Sequence, residues 1–272
     1  MNIKPKVSIL IPVYNGQDYI SRAIESCLSQ VFKDIELIVI DDGSTDQTRQ
    51  VISNYSNDPR CNIYFNDSNI GLPATLHKGL KLCNADWVAR LDSDDIMHPY
   101  RLDIQYFFAV KYGVDICGSW ARRIDANDKY LGMIRTPISN PEISFALSTY
   151  NPIIHPSVLI NLKFLNKFNL SYANSRDVLI EDYDLWCRLV LVGAKFYNIP
   201  LPLIDYRSHS NSISAIFKSD FNSKRLIISK KLSLVANGKI KDFSLNVLKT
   251  NPVLFVKVIL RSILAYFIYF SK

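Results

Sequence analysis

Along the first hundred residues, short unbroken apolar runs alternate with segments of helical period. Val7–Val13 (VSILIPV) is apolar without interruption and stops at a Tyr-Asn-Gly turn, the pattern of a parallel strand buried on both faces. Residues 18–30 then place Tyr19, Ile20, Ala23, Ile24, Cys27 and Leu28 on one helical face. A second buried strand is predicted at 35–40 (IELIVI). It runs into Asp41-Asp42-Gly43-Ser44 and a helix from Thr45, where Ser44 and Gln47 have the spacing of a capping box. A third strand is expected at 62–65, a helix from the Asn69-Ile70-Gly71 turn through Leu82, and a fourth strand at 87–91 that ends in Asp92-Ser93-Asp94-Asp95. Strand–helix alternation with short connections predicts an α/β domain with a mainly parallel sheet and helices on both faces. In such sheets ligands bind beyond the carboxyl ends of the strands. Both acidic clusters fall at those ends.

The second half is less regular. Residues 114–124 and 129–134 read as a hairpin around 125–128, 141–147 and 181–192 as helices, and 196–199 and 203–206 as two strands. No repeat or low-complexity segment interrupts the chain.

Composition narrows the classes. The chain has 272 residues, 48% apolar and 21% charged, which is enough apolar material for a sizeable core and excludes a disordered chain. Nine Gly and 12 Pro exclude a collagen-like or linker-like chain. The five cysteines (Cys27, Cys61, Cys83, Cys117, Cys187) are odd in number, widely spaced and form no C-x-x-C pair, so neither a disulfide framework nor a zinc site is expected. Reduced thiols and an N-terminus without a signal-peptide layout predict a cytoplasmic protein. The net charge of +7 is uneven: residues 1–217 carry 21 Lys+Arg against 23 Asp+Glu, and residues 218–272 carry 11 against 2. The basicity therefore belongs to the tail, unlike that of a nucleic-acid binder. Residues 253–270 are nearly all apolar apart from Lys257 and Arg261, which share a helical face. Two cations in a helix of roughly 27 Å argue against a spanning segment and for a helix lying in a membrane interface. The alternative is a helix packed on the domain or in a homodimer. The expected organisation is a body over 1–217 followed by a helical, membrane-associating extension over 218–272.

Four constellations carry candidate chemistry. Asp92-Ser93-Asp94 puts two carboxylates two apart at a strand end. They repel unless a hard cation such as magnesium or manganese joins them, with diphosphate oxygens as a natural complement; otherwise the turn is a solvated helix cap. An EF-hand does not fit, since its Gly and closing Glu are missing. Asp41-Asp42 can accept from a base N–H or a ribose hydroxyl, or can cap a helix. Glu181-Asp182 opens a helix, either as dipole partners or with a general base. Tyr206-Arg207-Ser208-His209, followed by Ser212, offers a phosphate clamp and a metal ligand, or an exposed polar loop. Neither G-x-G-x-x-G nor G-x-x-x-x-G-K-[ST] occurs, which counts against a dinucleotide dehydrogenase and a P-loop NTPase.

The order of these segments resembles family-2 glycosyltransferases of the GT-A fold. VSILIPVYNGQDYISRAIESCLSQVFKDIELIVIDDGSTDQT is similar to their opening and WVARLDSDDIMHPYRLDIQ to their D-x-D segment. NPIIHPSVLI, IEDYDLWCRLV and YRSHSNSIS are similar to later motifs of a bacterial surface-polysaccharide subgroup. The likeness covers roughly residues 5–215 and implies a catalytic domain over 1–217, with a nucleotide-binding half (1–95) and an acceptor half (96–217). It implies that Pro12, Tyr14 and Asp42 hold uridine with Asp41 nearby. Asp92, Ser93 and Asp94 would form the D-x-D site, with Asp94, Asp92 and His209 on a Mn2+ or Mg2+ ion. Asp182 would be the catalytic base, Glu181 would support acceptor or donor positioning, and Arg207, His209 and Ser212 would close over the diphosphate. His155 matches a family position without an assignable role, and His77 stands where the family usually has Asn. The Q-x-x-R-W signature of processive synthases is absent, which implies one sugar per acceptor. The implied reaction is inverting transfer from a UDP-sugar, UDP-glucose or UDP-galactose first, to a polyprenyl-diphosphate-linked glycan at the inner face of the plasma membrane, in O-antigen or capsule assembly. A soluble or protein acceptor is the nearest alternative. A nucleotidylyltransferase would carry a Gly-rich basic loop after strand one, and a non-catalytic glycan-binding or membrane module would not need both Asp94 and Asp182.

Overall fold

The computed structural model describes residues 4–148, 150–175 and 180–209. Its first half follows the hydrophobic pattern closely. β1 (Val7–Val13), α1 (Ile20–Leu28), β2 (Ile35–Asp41), α2 (Thr48–Ser53), β3 (Cys61–Phe65), α3 (Leu72–Leu82) and β4 (Trp87–Arg90) alternate as expected. Beyond them come β5 (Ile96–Met97), α4 (Arg101–Tyr112), β6 (Ile116–Ile124), β7 (Tyr130–Ile134), α5 (Asn140–Ala146), a 3-10 turn (His155–Ser157), β8 (Leu159–Asn161), α6 (Leu162–Lys167), α7 (Glu181–Leu191) and β9 (Phe196–Arg207).

One nine-stranded sheet runs β3-β2-β1-β4-β8-β6-β9-β5, with β7 added to β6. The four strands of the first half pair in parallel. β8 enters antiparallel between β4 and β6, and β9 lies parallel to β6. The fold is thus α/β with a parallel first half and a mixed second half. Strand alternation divides the core into two layers. Val7, Ile9, Ile11 and Val13 of β1 meet Ile20, Ala23, Ile24 and Cys27 of α1, with Leu102 and Ala109 of α4 in the same cluster. Leu10, Ile38 and Ile40 point the other way, onto Leu76 and Leu80 of α3, in a cluster shared with Leu185, Trp186 and Leu189 of α7. Both faces are buried because both are covered by helices, which is why these strands read as unbroken apolar runs.

Three expectations change. α2 starts at Thr48, not Thr45, and lacks the capping box: the Ser44 hydroxyl instead accepts from the Asn15 N–H at 2.9 Å. Holding the β1–α1 loop replaces holding the helix. The two strands expected at 196–199 and 203–206 are one, β9, whose pairing with β6 shifts register around Trp120, where Pro200 and Pro202 interrupt the regular ladder. Finally, α4, α6 and the short strands β5 and β8 had no predicted counterpart. The basic tail 218–272 lies outside the described residues. Among the described residues no helix is long and apolar enough to cross a membrane.

Candidate active site

The carboxyl ends of β1, β2 and β4 share one edge of the sheet. The register pairs Pro12 with Ile40 and Val13 with Asp41, so the turn after β1 stands beside the acids that end β2. Pro12 is buried within β1, and Tyr14, the first residue beyond the strand, is 47% exposed. Asp41 is buried. Its oxygens accept from the Ser44 N–H at 3.2 Å and from Arg49 Nε at 2.7 Å. Asp42 clamps the next turn: Oδ1 accepts from Asn66 Nδ2 (2.8 Å) and the Ile70 N–H (3.0 Å), and Oδ2 from the Gly71 N–H (2.9 Å). A carboxylate offers about four acceptor sites, and these bonds take three of them on Asp42. Asn66, at the end of β3, was not anticipated. It joins Asp42 to Thr75 and Lys78 of α3, and nothing in its local sequence distinguishes it from a turn residue.

The D-x-D turn adjoins the loop after β1: a Cβ on Gly16 would lie 3.3 Å from Ser93 Oγ. Each of Asp92, Asp94 and Asp95 offers a carboxylate oxygen within 4.8 Å of the others. Asp94 Oδ2 lies 2.9 Å from His209 Nε2, so two of the expected metal ligands meet. Burial, then Asp94 and Asp92, holds Asp95 well above the usual carboxylate range. Desolvation, and then Asp94, also raises Asp92, against the pull of Arg90. Asp95 Oδ2 is buried with no hydrogen-bond partner among the described residues. Three crowded acids with one orphaned oxygen fit a hard cation.

Arg207 is placed differently from the expected clamp over a diphosphate. It is 1% exposed, and its Nε donates to the Asp94 carbonyl at 2.7 Å. Nη1 donates to the Asp125 carbonyl at 2.9 Å and pairs with Asp128 at 2.7 Å, while its own N–H donates to Asp95 Oδ1 at 2.8 Å. The guanidinium lies beneath the D-x-D turn and fixes it to the β6–β7 hairpin. Arg101 is likewise internal. It donates to the carbonyls of Arg90, Pro156 and Val158 and to Gln105 Oε1. Ser212 lies outside the described residues.

At the start of α7, Glu181 is buried and Asp182 partly so. Burial pushes Glu181 up to about 7, with Asp92 raising it further and Arg90 opposing. Asp182 is raised as well, by burial and then by Glu181. Its Oδ2 accepts from Asn151 Nδ2 at 2.6 Å and its Oδ1 from the Tyr183 N–H at 2.7 Å. His155 sits 3.5 Å from Glu181 Oε1 through Nδ1 and 2.8 Å from the Tyr172 hydroxyl through Nε2. Burial lowers His155 to about 3, so it faces Glu181 as a neutral ring at neutral pH. Arg90, two residues before the D-x-D motif and 2% exposed, pairs with Asp92 and acts electrostatically on Tyr172 and Glu181. A lone arginine in the otherwise apolar run WVARL was the available signal, since unpaired charge is rarely buried. His77 also finds a role: its Nδ1 lies 2.9 Å from Ser171 Oγ and 3.1 Å from the Tyr172 carbonyl, tying the loop that carries Tyr172 to α3.

The sequence matches the family model "Glycosyl transferase family 2" over residues 8–169. It is 29% identical over 230 residues to an uncharacterized glycosyltransferase of Haemophilus influenzae, spanning 80% of this chain and 70% of that protein. The putative glycosyltransferase EpsE of Bacillus subtilis is 30% identical, with 78% of this chain and 76% of that one covered. The O-antigen biosynthesis glycosyltransferase WbnJ of Escherichia coli is 28% identical, with 78% and 83% covered. In structure the chain resembles S. aureus TarS 1-349 in complex with UDP-GlcNAc, with a TM-score of 0.63 and 19% identity over 93% of this chain and 79% of that one. The sheet order, the acids gathered at its carboxyl edge and these likenesses agree: the chain belongs to glycosyl transferase family 2 and has the GT-A fold.

Proposed function

We propose that this chain is an inverting, non-processive hexosyltransferase. It moves one sugar from a UDP-sugar, UDP-glucose or UDP-galactose first, to a polyprenyl-diphosphate-linked glycan of O-antigen or capsule assembly. The observation that carries the reading is that Asp92 of the D-x-D turn pairs with Arg90 and that both act electrostatically on Glu181, which opens α7 beside Asp182. A UDP donor is supported by the likeness to TarS, whose complexes hold UDP and UDP-GlcNAc. A polysaccharide acceptor is supported by the O-antigen relative.

Pro12, Tyr14 and Asp42 would receive the uridine, Asp42 through its remaining acceptor site, while Asp41 holds the turn. Asp94, Asp92 and His209 would hold Mn2+ or Mg2+. Bound there, the cation supplies positive charge against the diphosphate leaving group. Arg207 keeps the D-x-D backbone in place from below. The acceptor hydroxyl has a pKa far above 7 and needs a base as it attacks. Asp182 takes that proton, with attack opposite the departing UDP inverting the anomeric centre to give a β-linkage from an α-linked donor. Residues 1–217 form the catalytic unit in this reading. The tail 218–272 keeps it on the anionic inner leaflet, where each nearby Lys or Arg contributes about 1 kcal/mol.

The test is UDP release from a panel of UDP-sugars with a synthetic diphospholipid GlcNAc or GalNAc acceptor, with the product's anomeric configuration read by NMR. One UDP-sugar giving a β-linked, singly extended product is expected. Retention of configuration, or no release from any donor while the protein binds UDP, overturns the reading.

A further inference from the structure

Asp182 would have to be ionised to act as a base, yet its surroundings work against that. Burial and the adjacent Glu181 both favour the protonated form. The titratable groups around it are Glu181, His155, Tyr172 and Cys187. His155 opposes the rise, but burial lowers its own pKa to about 3 and so leaves it neutral at neutral pH, while burial raises Tyr172 and Cys187. Two N–H donors stand on the other side: the Tyr183 amide on Oδ1, and Asn151 Nδ2 on Oδ2 at 2.6 Å. Hydrogen bonds to a carboxylate favour its charged form.

The orientation of Asn151 is set by its own turn. Its Oδ1 accepts from the Ile153 N–H at 3.2 Å, which leaves the NH2 end for Asp182. The segment is fixed from beneath. Asn198 Nδ2 donates to the Pro152 carbonyl at 3.1 Å and to the Pro137 carbonyl at 2.6 Å, and Arg101 Nη1 donates to the Pro156 carbonyl at 2.8 Å. Asn198 in turn needs Gly118, where a Cβ would come within 2.1 Å of its Oδ1.

We propose that Asn151 is a positioning residue for Asp182: its side-chain N–H fixes the plane of the carboxylate and selects the ionised form that accepts the proton. This rests on Asp182 being the base. It adds that a residue 31 positions earlier, in a segment without acids, makes the base competent.

The test compares two substitutions. Asn151→Ser keeps a short side chain able to accept from the Ile153 N–H but too short to reach Asp182. Asn151→Leu removes both contacts. The Asp182 carboxyl is titrated by 13C NMR in aspartate-labelled protein, its signal identified by loss in Asp182→Asn. Both variants are expected to raise its proton affinity about tenfold, equivalent to one pKa unit, and to lower kcat more than they raise donor KM. A shift in the Leu variant alone assigns Asn151 to the turn only and overturns the proposal, as does an unchanged signal in both. Should Asn151→Leu fail to fold, the Ser variant decides alone. Turnover of Asp182→Asn is measured in parallel. Near-normal turnover there sinks the base assignment itself, and the titration still reports separately on the contact with Asn151.

Discussion

At the end of β2, Asp41 and Asp42 are buried, yet each of their four oxygens faces an N–H donor from Ser44, Arg49, Asn66, Ile70 or Gly71. Beyond β4 and at the start of α7 the arrangement is the reverse. Asp95 Oδ2, Arg90 Nε and Nη1, and Trp186 Nε1 are buried without partners among the described residues, and burial and neighbouring acids raise Asp92, Asp95, Glu181 and Asp182. A buried polar group left unpaired costs about 1–3 kcal/mol, so this part of the molecule carries a conflict that the first part avoids. Local rules are broken where function requires it. Under the proposed function the first pair would frame the nucleotide, and the raised acids would receive a cation or, at Asp182, which keeps an N–H donor on each oxygen, the acceptor's proton.

The largest expected effect lies on the side of the raised acids. Asp182→Asn should lower kcat by about 10²-fold or more, the usual scale for a general base, while calorimetry finds UDP affinity unchanged. A loss of only a few-fold would leave the crowding around α7 without a catalytic purpose. Next comes Glu181. Its folded-state pKa, about 7 against an ordinary 4.5, means that the folded chain holds this proton more tightly than the unfolded chain. The stability it contributes is therefore full below about 4.5 and is lost as pH rises through 7. Glu181→Gln should remove that decline, worth roughly 3 kcal/mol, seen as a smaller difference between urea unfolding at pH 5 and at pH 8 with a chelator present. Parallel pH dependence in the two proteins would contradict it. The smallest effect belongs to the satisfied side. Arg49→Met strips one donor from buried Asp41 and should cost about 2 kcal/mol of stability, read from the urea midpoint, with a change in donor KM exceeding any change in kcat. An unaltered midpoint would show that the Ser44 amide suffices for Asp41.

Much of this contrast could be read in the chain itself. Where a strand is covered on both sides, as β1 and β2 are, continuous apolar residues report it directly. The acids after β2 and β4 then fall at the carboxyl edge by counting. The β6–β7 hairpin and the start of α7 were equally open to reading. α4 escaped because Phe107, Val110 and Tyr112 are 64%, 53% and 56% exposed, so its apolar residues do not mark one buried face. β5 and β8, of two and three residues, are too short to show a period and exist only through their neighbours.

By itself, then, the sequence determined the parallel half of the sheet, the positions of its strand ends and the acidic residues mounted there, because burial on a strand or helix leaves a periodic trace along the chain. Only the tertiary structure decided what those residues face. It turned Arg207 inward beneath the D-x-D turn, paired buried Arg90 with Asp92, tied His77 to the Tyr172 loop and brought Asn151 onto Asp182. Charge pairing and hydrogen bonding between residues tens of positions apart depend on how the sheet brings its edges together, and distance along the chain holds no record of that.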